Sequence, residues 1–205
     1  MRKVIIFLSL LLVVVIISAF SENTNNTNNS TYFTESISSV PTEAEVISQD
    51  HNIPFIGNSF NGFRDAVAFK ESQGRYHIVN TLGYLGKYQF GKSTLQRFNI
   101  HNAQEFLNSP ELQEEAFVAL CSLNKWILRK DIERSVGKKI NGVEITESGI
   151  LAAAHLAGAG NVKKYLRSYG EQTFKDAYGS SVQHYIKEFS GYNTSFIVAN
   201  KKPVV

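Results

Sequence analysis

A mainly α fold is predicted for the body of this chain, and three observations predict it. Apolar residues recur at helical steps in four separate stretches between Phe60 and Phe189. Two of those stretches open on recognisable caps, Ser109-Pro110 and Thr146. Strand signals are few and centre on one tight turn, Asn141-Gly142 between Ile140 and Val143. The composition allows such a body: 205 residues, 43 % apolar and 19 % charged, suffice for one core and exclude a wholly disordered or collagen-like chain.

Taken in order, the chain opens on an address. Arg2 and Lys3 precede the run Val4 to Ile17, apolar except for Ser9, and Ala19-Phe20-Ser21 supplies small residues two apart. This is the layout of a secretory signal peptide over 1–21, with an uncleaved anchor as the alternative. The apolar run has 14 residues, short of the roughly 20 that span a bilayer. Export to a periplasm, cell surface or medium is therefore expected, with membrane contact only through this segment if it is retained. Residues 22–31 hold five Asn, three Thr, one Ser and one Glu. Such a stretch buries too little apolar surface to offset its ordering entropy, so 22–55 reads as an acidic tether.

The helical body is expected over 56–192. Phe63, Val67 and Glu71 stand at steps of four in the first helix, which ends near Gly74. Leu112, Ala116, Leu120, Leu123 and Ile127 trace one face of a long helix after Ser109-Pro110. A small hairpin is expected at Asn141-Gly142. Thr146 caps an alanine-dense helix to about Ala157, and Val162, Tyr165 and Leu166 mark a short one ending near Gly170. Val182, Tyr185, Ile186 and Phe189 fall at i, i+3, i+4 and i+7 of a last amphipathic helix. Residues 193–205 read as a loose tail.

Charge and cysteine content narrow the partners. Residues 22–63 carry five acids and no Lys or Arg, whereas the chain from Arg64 onward carries nineteen basic and thirteen acidic residues. A mildly basic body at a net charge of +3 does not argue for nucleic acid. Cys121 is the only cysteine, which excludes an intramolecular disulfide and a multi-cysteine metal site. Five histidines are scattered without metal-ligand spacing, so no metal and no cofactor is expected. Gly86 to Ser93 matches the phosphate-loop pattern. That pattern works only between a buried strand and a helix, and Asn80 to Leu85 is a poor strand, so no nucleotide is expected.

Glu71 is the candidate catalytic residue. At roughly 100° per residue it lies about 40° from Val67 and about 80° from Phe63 around the helix. A glutamate there sits on the apolar stripe. Partial loss of water disfavours the charged form of a carboxyl, and an acid that keeps its proton is what general acid catalysis needs. Glu71-Ser72-Gln73-Gly74 is followed by Gly83-Tyr84-Leu85-Gly86-Lys87-Tyr88-Gln89-Phe90, and later by Ala153-Ala154-His155-Leu156-Ala157-Gly158-Ala159-Gly160-Asn161-Val162. Together these resemble the soluble-type lytic transglycosylases with a lysozyme-like fold. That family carries a glutamate-serine pair at a helix end, a G-L-M-Q-type turn, and an alanine-rich A-Y-N-A-G-x-G helix end. The resemblance covers about 130 residues, with Gly83, Gly86, Gln89 and Thr94 in matching places.

The resemblance implies a lysozyme-like domain acting on peptidoglycan glycan strands, with Glu71 as the single catalytic acid. It implies substrate contacts from Ser72, Gly86, Tyr88, Gln89, His155, Leu156 and Tyr185. Among these, Gln89 would floor the cleft and Tyr185 would stand close to Glu71. Lys87-Tyr88 replaces the family's Leu-Met, and His155-Leu156 replaces its Tyr-Asn. The second replacement leaves open a wall-binding module that no longer cuts, or action on another N-acetylhexosamine polymer such as chitin. The implied reaction breaks the β-1,4 bond between N-acetylmuramic acid and N-acetylglucosamine, with a 1,6-anhydro product where no water intervenes. A partner acid would favour hydrolysis instead, and Asp65, Asp131, Glu144 and Glu147 are the acids to place. Lys70, Arg75, Lys87 and Lys92 lie near the acid in sequence, either to meet anionic wall peptides or as ordinary solvated cations. His155 and Cys121 each carry a plainer reading as packed residues of the interior.

Overall fold

A computed structural model describes residues 57–205. The expected address, 1–21, and tether, 22–55, lie outside the described residues. The order of elements is α1 (Phe60–Ser72), α2 (Lys92–Gln96), α3 (Ala103–Asn108), α4 (Pro110–Ser135), β1 (Lys139–Ile140), β2 (Val143–Glu144), α5 (Glu147–Arg167) and α6 (Val182–Glu188). The fold is mainly α with one two-stranded antiparallel hairpin, as the periodicity predicts.

The helices start where their caps dictate. Ser109 Oγ accepts from the Leu112 amide and Pro110 takes the first helical position of α4. Thr146 Oγ1 accepts from the Gly149 amide at the start of α5. Ser59 and Ser181 do the same for α1 and α6. Each cap satisfies an amide that the helix itself leaves unpaired. The end of α1 is a Schellman turn: Gln73 takes the left-handed conformation, and the Gly74 amide reaches back to the Ala68 carbonyl at 3.1 Å. The short helices α2 and α3 lie in a stretch without the apolar periodicity that marks the others. Asn102, whose side chain accepts from the Gln104 and Glu105 amides, is the signal for α3.

Helix α4 is the spine. Helix α5 packs along it, and α6 packs on α5. Phe63 and Val67 of α1, Phe117 and Leu128 of α4, Ile150 and Leu151 of α5, and Ile186 of α6 share one core. Each such burial contributes about 1.5–3 kcal/mol. Asp131, buried on α4, accepts from Arg167 of α5 at 2.9 Å and also pairs with Arg134. Gly158 divides α5 into two helical parts at φ 77°, ψ 149°. An added Cβ there would meet open space, so the requirement for glycine is conformational. Lys139 pairs with Glu144 and Ile140 with Val143, and the turn between them is the expected Asn141-Gly142.

One expectation is corrected. Residues 193–205 are not a loose tail, and the compact unit runs through Val205 rather than stopping at 192. Ile197 is 1 % exposed and belongs to the core. Thr194 donates to Glu147 at 2.6 Å, and the Asn200 amide donates to the Ser122 carbonyl. The segment lacks helical or alternating periodicity because it packs through isolated anchors.

Candidate active site

The turn Gly86–Gln89 is held from three helices at once. From α1, Ser72 Oγ donates to the Lys87 carbonyl at 2.7 Å. From α4, the Gln113 side-chain oxygen accepts from the Lys87 amide at 2.8 Å, while its Nε2 donates to the carbonyls of Tyr76 and Phe106. From α5, His155 Nε2 lies 2.7 Å from the Tyr88 carbonyl. A carbonyl only accepts, so Nε2 carries the proton. Gly86 has φ 73°, and a Cβ there would collide with the Gln113 amide. Within the turn the Gln89 amide donates to the Gly86 carbonyl at 3.1 Å, and Gln89 itself sits at φ 50°.

A second layer of charge anchors the turn. Glu114, on α4, accepts from Lys87 Nζ at 2.7 Å, Tyr76 at 2.7 Å and Tyr88 at 2.6 Å. Arg64 Nε lies 3.2 Å away, off line for a hydrogen bond. Burial alone would raise the Glu114 carboxyl, but these donors outweigh it and hold it below its ordinary range. Burial works the other way on Lys87, and its bonds to Glu114 and Tyr76 leave it raised.

Glu71 stands at the end of α1, half-buried. The Tyr185 hydroxyl donates to its Oε1 at 2.9 Å. Burial first, then the charge of Glu71, then that hydrogen bond raise the tyrosine far above its usual range, with Asp176 and Glu188 adding to the effect. Tyr185 therefore stays a donor across the working pH range. No other side chain among the described residues makes a hydrogen bond or ion pair with Glu71. Asp176 spends its Oδ1 on the Tyr178 and Ser180 amides, and Glu188 pairs with Lys70 and His184. Asp65 pairs with Lys87, Asp131 with two arginines, and Glu147 with Lys125.

Beyond the turn lies a cavity of about 810 Å³. Its lining includes Gln89, Phe90 and Lys92, Leu120, Leu123 and Asn124 of α4, and His155, Leu156 and Gly158 of α5. Glu71 does not line it. Ser72, the next residue after Glu71, ties the end of α1 to the turn two residues before Gln89.

The predicted site residues thus divide. Glu71 and Tyr185 meet each other, and Gln89, His155 and Leu156 line the cavity. Three others are corrected. Tyr88 is 0 % exposed and stacks on Phe117 at 4.1 Å, so it faces the core. Ser72 is buried and spends its hydroxyl on the turn, and Gly86 is buried where Gln113 needs its space. The basic group also splits: Lys70 pairs with Glu188, Lys87 lies buried against Glu114, and Arg75 Nε bonds the Ser72 carbonyl. Lys92 alone of the four lines the cavity. His155 packs edge-on to Phe90 and Phe117, which matches its plainer reading. Cys121 is buried in the core, and burial raises its thiol. Where a phosphate loop would need a buried strand, residues 79–90 form turns joined by single bridges.

Sequence reasoning missed Arg97 and Asn124 on the cavity wall and Glu114 behind the turn. For Asn124 a signal exists: it falls at the i+4 place of the stripe Leu120, Leu123, Ile127, the same displacement that singles out Glu71. No protein-family model, curated protein or solved structure matches this chain.

Proposed function

We propose that this chain is an exported glycosidase of lysozyme-like fold that cuts the β-1,4 bond between N-acetylmuramic acid and N-acetylglucosamine in peptidoglycan. One observation carries the reading: a single glutamate and a buried tyrosine, 114 residues apart in sequence, in contact at the end of α1, where the next residue, Ser72, is bonded to the pinned turn. Protonated Glu71 donates to the bridging oxygen as the bond to C1 breaks, and positive charge develops on the ring. Tyr185 steadies the carboxylate left behind. That carboxylate then takes the proton of the sugar's own 6-hydroxyl as its oxygen closes on C1. The product is a 1,6-anhydro sugar, and Glu71 ends the cycle protonated. Two-carboxylate hydrolysis places a second acid within about 10 Å to activate water. Asp65, Asp131, Glu147, Asp176 and Glu188 are committed to other partners, and Glu144, exposed on β2, makes no hydrogen bond or ion pair with Glu71, which supports the one-acid route.

The test is Glu71→Gln, which keeps shape and removes the acid. We expect the release of soluble fragments from purified sacculi to fall at least about 1,000-fold. The parent's fragments should be lighter by one water than hydrolytic fragments in the mass spectrometer. Clearing at the parent's rate by the variant would refute the reading.

A second reading, a wall-binding module that does not cut, is favoured by the separation of Glu71 from the cavity lining. Co-sedimentation with sacculi without any release of fragments would select it.

A further inference from the structure

Past the cavity, the same face of α4 leads into a smaller recess of about 240 Å³. Leu120, Asn124 and Ile127 line the cavity, and Asp131, Arg134 and Ser135, on the next turns of that face, line the recess. Helix α5 repeats the arrangement, with Ala159 and Gly160 at the cavity and Arg167 at the recess. The two spaces share no lining residue.

The recess is built on one buried acid. Asp131 is 2 % exposed and is the only carboxylate among the lining residues. Its Oδ1 accepts from Arg134 Nη2 and from Arg167 Nε. Burial alone would raise its carboxyl, but the bonds from Arg167 and Arg134 hold it below its ordinary range. The acid therefore stays charged and fixes two guanidinium groups that are themselves more than half exposed. A guanidinium has five donors, so each arginine keeps N–H groups that Asp131 does not occupy. Lys138 also lines the recess and makes no ion pair among the described residues. Three cations against one carboxylate leave a charge of +2. Helices α4 and α5 both end here, and two helix ends supply only about −0.5 each. Positive charge thus remains after both ends are answered. Ser135 and Tyr169 add hydroxyls to the same lining.

We infer that this recess is an oxyanion site for a phosphate group, taken up by the free N–H groups of Arg134 and Arg167 and by the Lys138 ammonium. Paired N–H groups match phosphate oxygens, and holding the arginines on Asp131 orients them before the ligand arrives. A carboxylate, with two oxygens in one plane and a single charge, leaves part of this set unused. The phosphate is either the free ion or a link of a phosphodiester polymer. The inference makes no use of Glu71 and stands or falls apart from the glycan reading.

The experiment titrates the isotope-labelled full chain and follows backbone amides by NMR. The probes are inorganic phosphate, acetate and a glycerol phosphate polymer, all at one ionic strength. We expect phosphate, free or in the polymer, to shift the amides of residues 134–138 and 167–169 saturably. It should bind at least about 10-fold more tightly than acetate, the worth of one further charge-assisted hydrogen bond. Lys138→Gln breaks no ion pair of the described residues, and it should weaken binding by about 10-fold at an unchanged thermal midpoint. Lys138→Arg should restore the affinity. Arg134→Gln leaves Arg167 on Asp131 and should weaken binding at least as much. Saturation by the free ion identifies a small-ion site, and saturation by the polymer alone identifies a polymer site. Either result upholds the recess where both variants weaken it. Equal binding of phosphate and acetate, shifts confined to other residues, no response to either phosphate probe, or parental affinity in both Lys138→Gln and Arg134→Gln would overturn it.

Discussion

Glu71 and Glu114 are two glutamates on the buried sides of two helices, and they sit in opposite circumstances. Glu114 accepts from Lys87, Tyr76 and Tyr88, with Arg64 close by. Among the described residues Glu71 accepts from Tyr185 alone. The first has its lone pairs occupied and serves as an anchor. The second keeps most of them open, half in water, at the edge of a turn that carries Gln89 into a cavity. A polar residue on an apolar face is therefore not by itself a sign of chemistry. Saturation with partners separates an anchor from a residue that waits for a ligand, and Gln113 on α4 stands with the anchors.

The largest expected effect on this comparison comes from Glu114→Gln. It leaves the buried Lys87 with only the longer carboxylate contact to Asp65 at 3.5 Å, and removing one member of a buried pair costs about 3–5 kcal/mol. We expect a loss near the lower end, about 3 kcal/mol, because the site is not wholly sealed. Denaturant unfolding would measure it. A loss below about 0.5 kcal/mol would place Glu114 among exposed surface pairs and dissolve the contrast. The sign with pH is fixed by the direction of the shift. The Glu114 carboxyl lies lower in the folded chain than its unfolded value of about 4.3. Its stabilisation is thus present above that value and fades as pH falls through the lower folded one. Below about pH 4 the parent should lose stability more steeply than Glu114→Gln.

Next in size is Tyr185→Phe, which removes the one donor on Glu71 and retains the ring. Loss of a single donor to a charge that develops during reaction typically costs about 100-fold in rate, or about 2.7 kcal/mol of barrier. We expect kcat for fragment release to fall by about that factor with KM little changed, since the donor acts on the acid rather than on bound glycan. A rise in KM alone would make Tyr185 a ligand contact and leave Glu71 with no assistant.

Much of the frame was legible in the sequence because it rests on local rules. Ser109-Pro110, Thr146 and Asn141-Gly142 mark a cap, a cap and a turn wherever they occur. Glu71 was legible for the same reason, as a departure from its own helix's pattern. The rest depends on pairing across long separations. Tyr88 reads as a cleft residue by its place beside Gln89, but only the approach of Phe117 and Glu114 shows that its side chain turns inward. Asn124 shares Glu71's displacement, but only the packing of α4 against the turn and α5 places it on the cavity wall. Residues 193–205 carry no periodic signal because Thr194, Ile197 and Asn200 attach one at a time.

The smallest effect sharpens the boundary between anchor and site. Ser72 follows Glu71 directly, and its hydroxyl both donates to the Lys87 carbonyl and accepts from the Arg75 amide at 3.0 Å. Ser72→Ala should cost about 1 kcal/mol, the scale of a buried hydrogen bond lost with one partner left in place. Its effect on fragment release should be indirect and below about 10-fold, because Gln113 and His155 still hold the turn from the other two helices. Paired measurements of thermal midpoint and release rate would show a modest fall in both. A fall in rate of 100-fold at unchanged stability would move Ser72 from the clamp to the glycan, and the division between saturated and waiting residues would have to be redrawn one residue beyond Glu71.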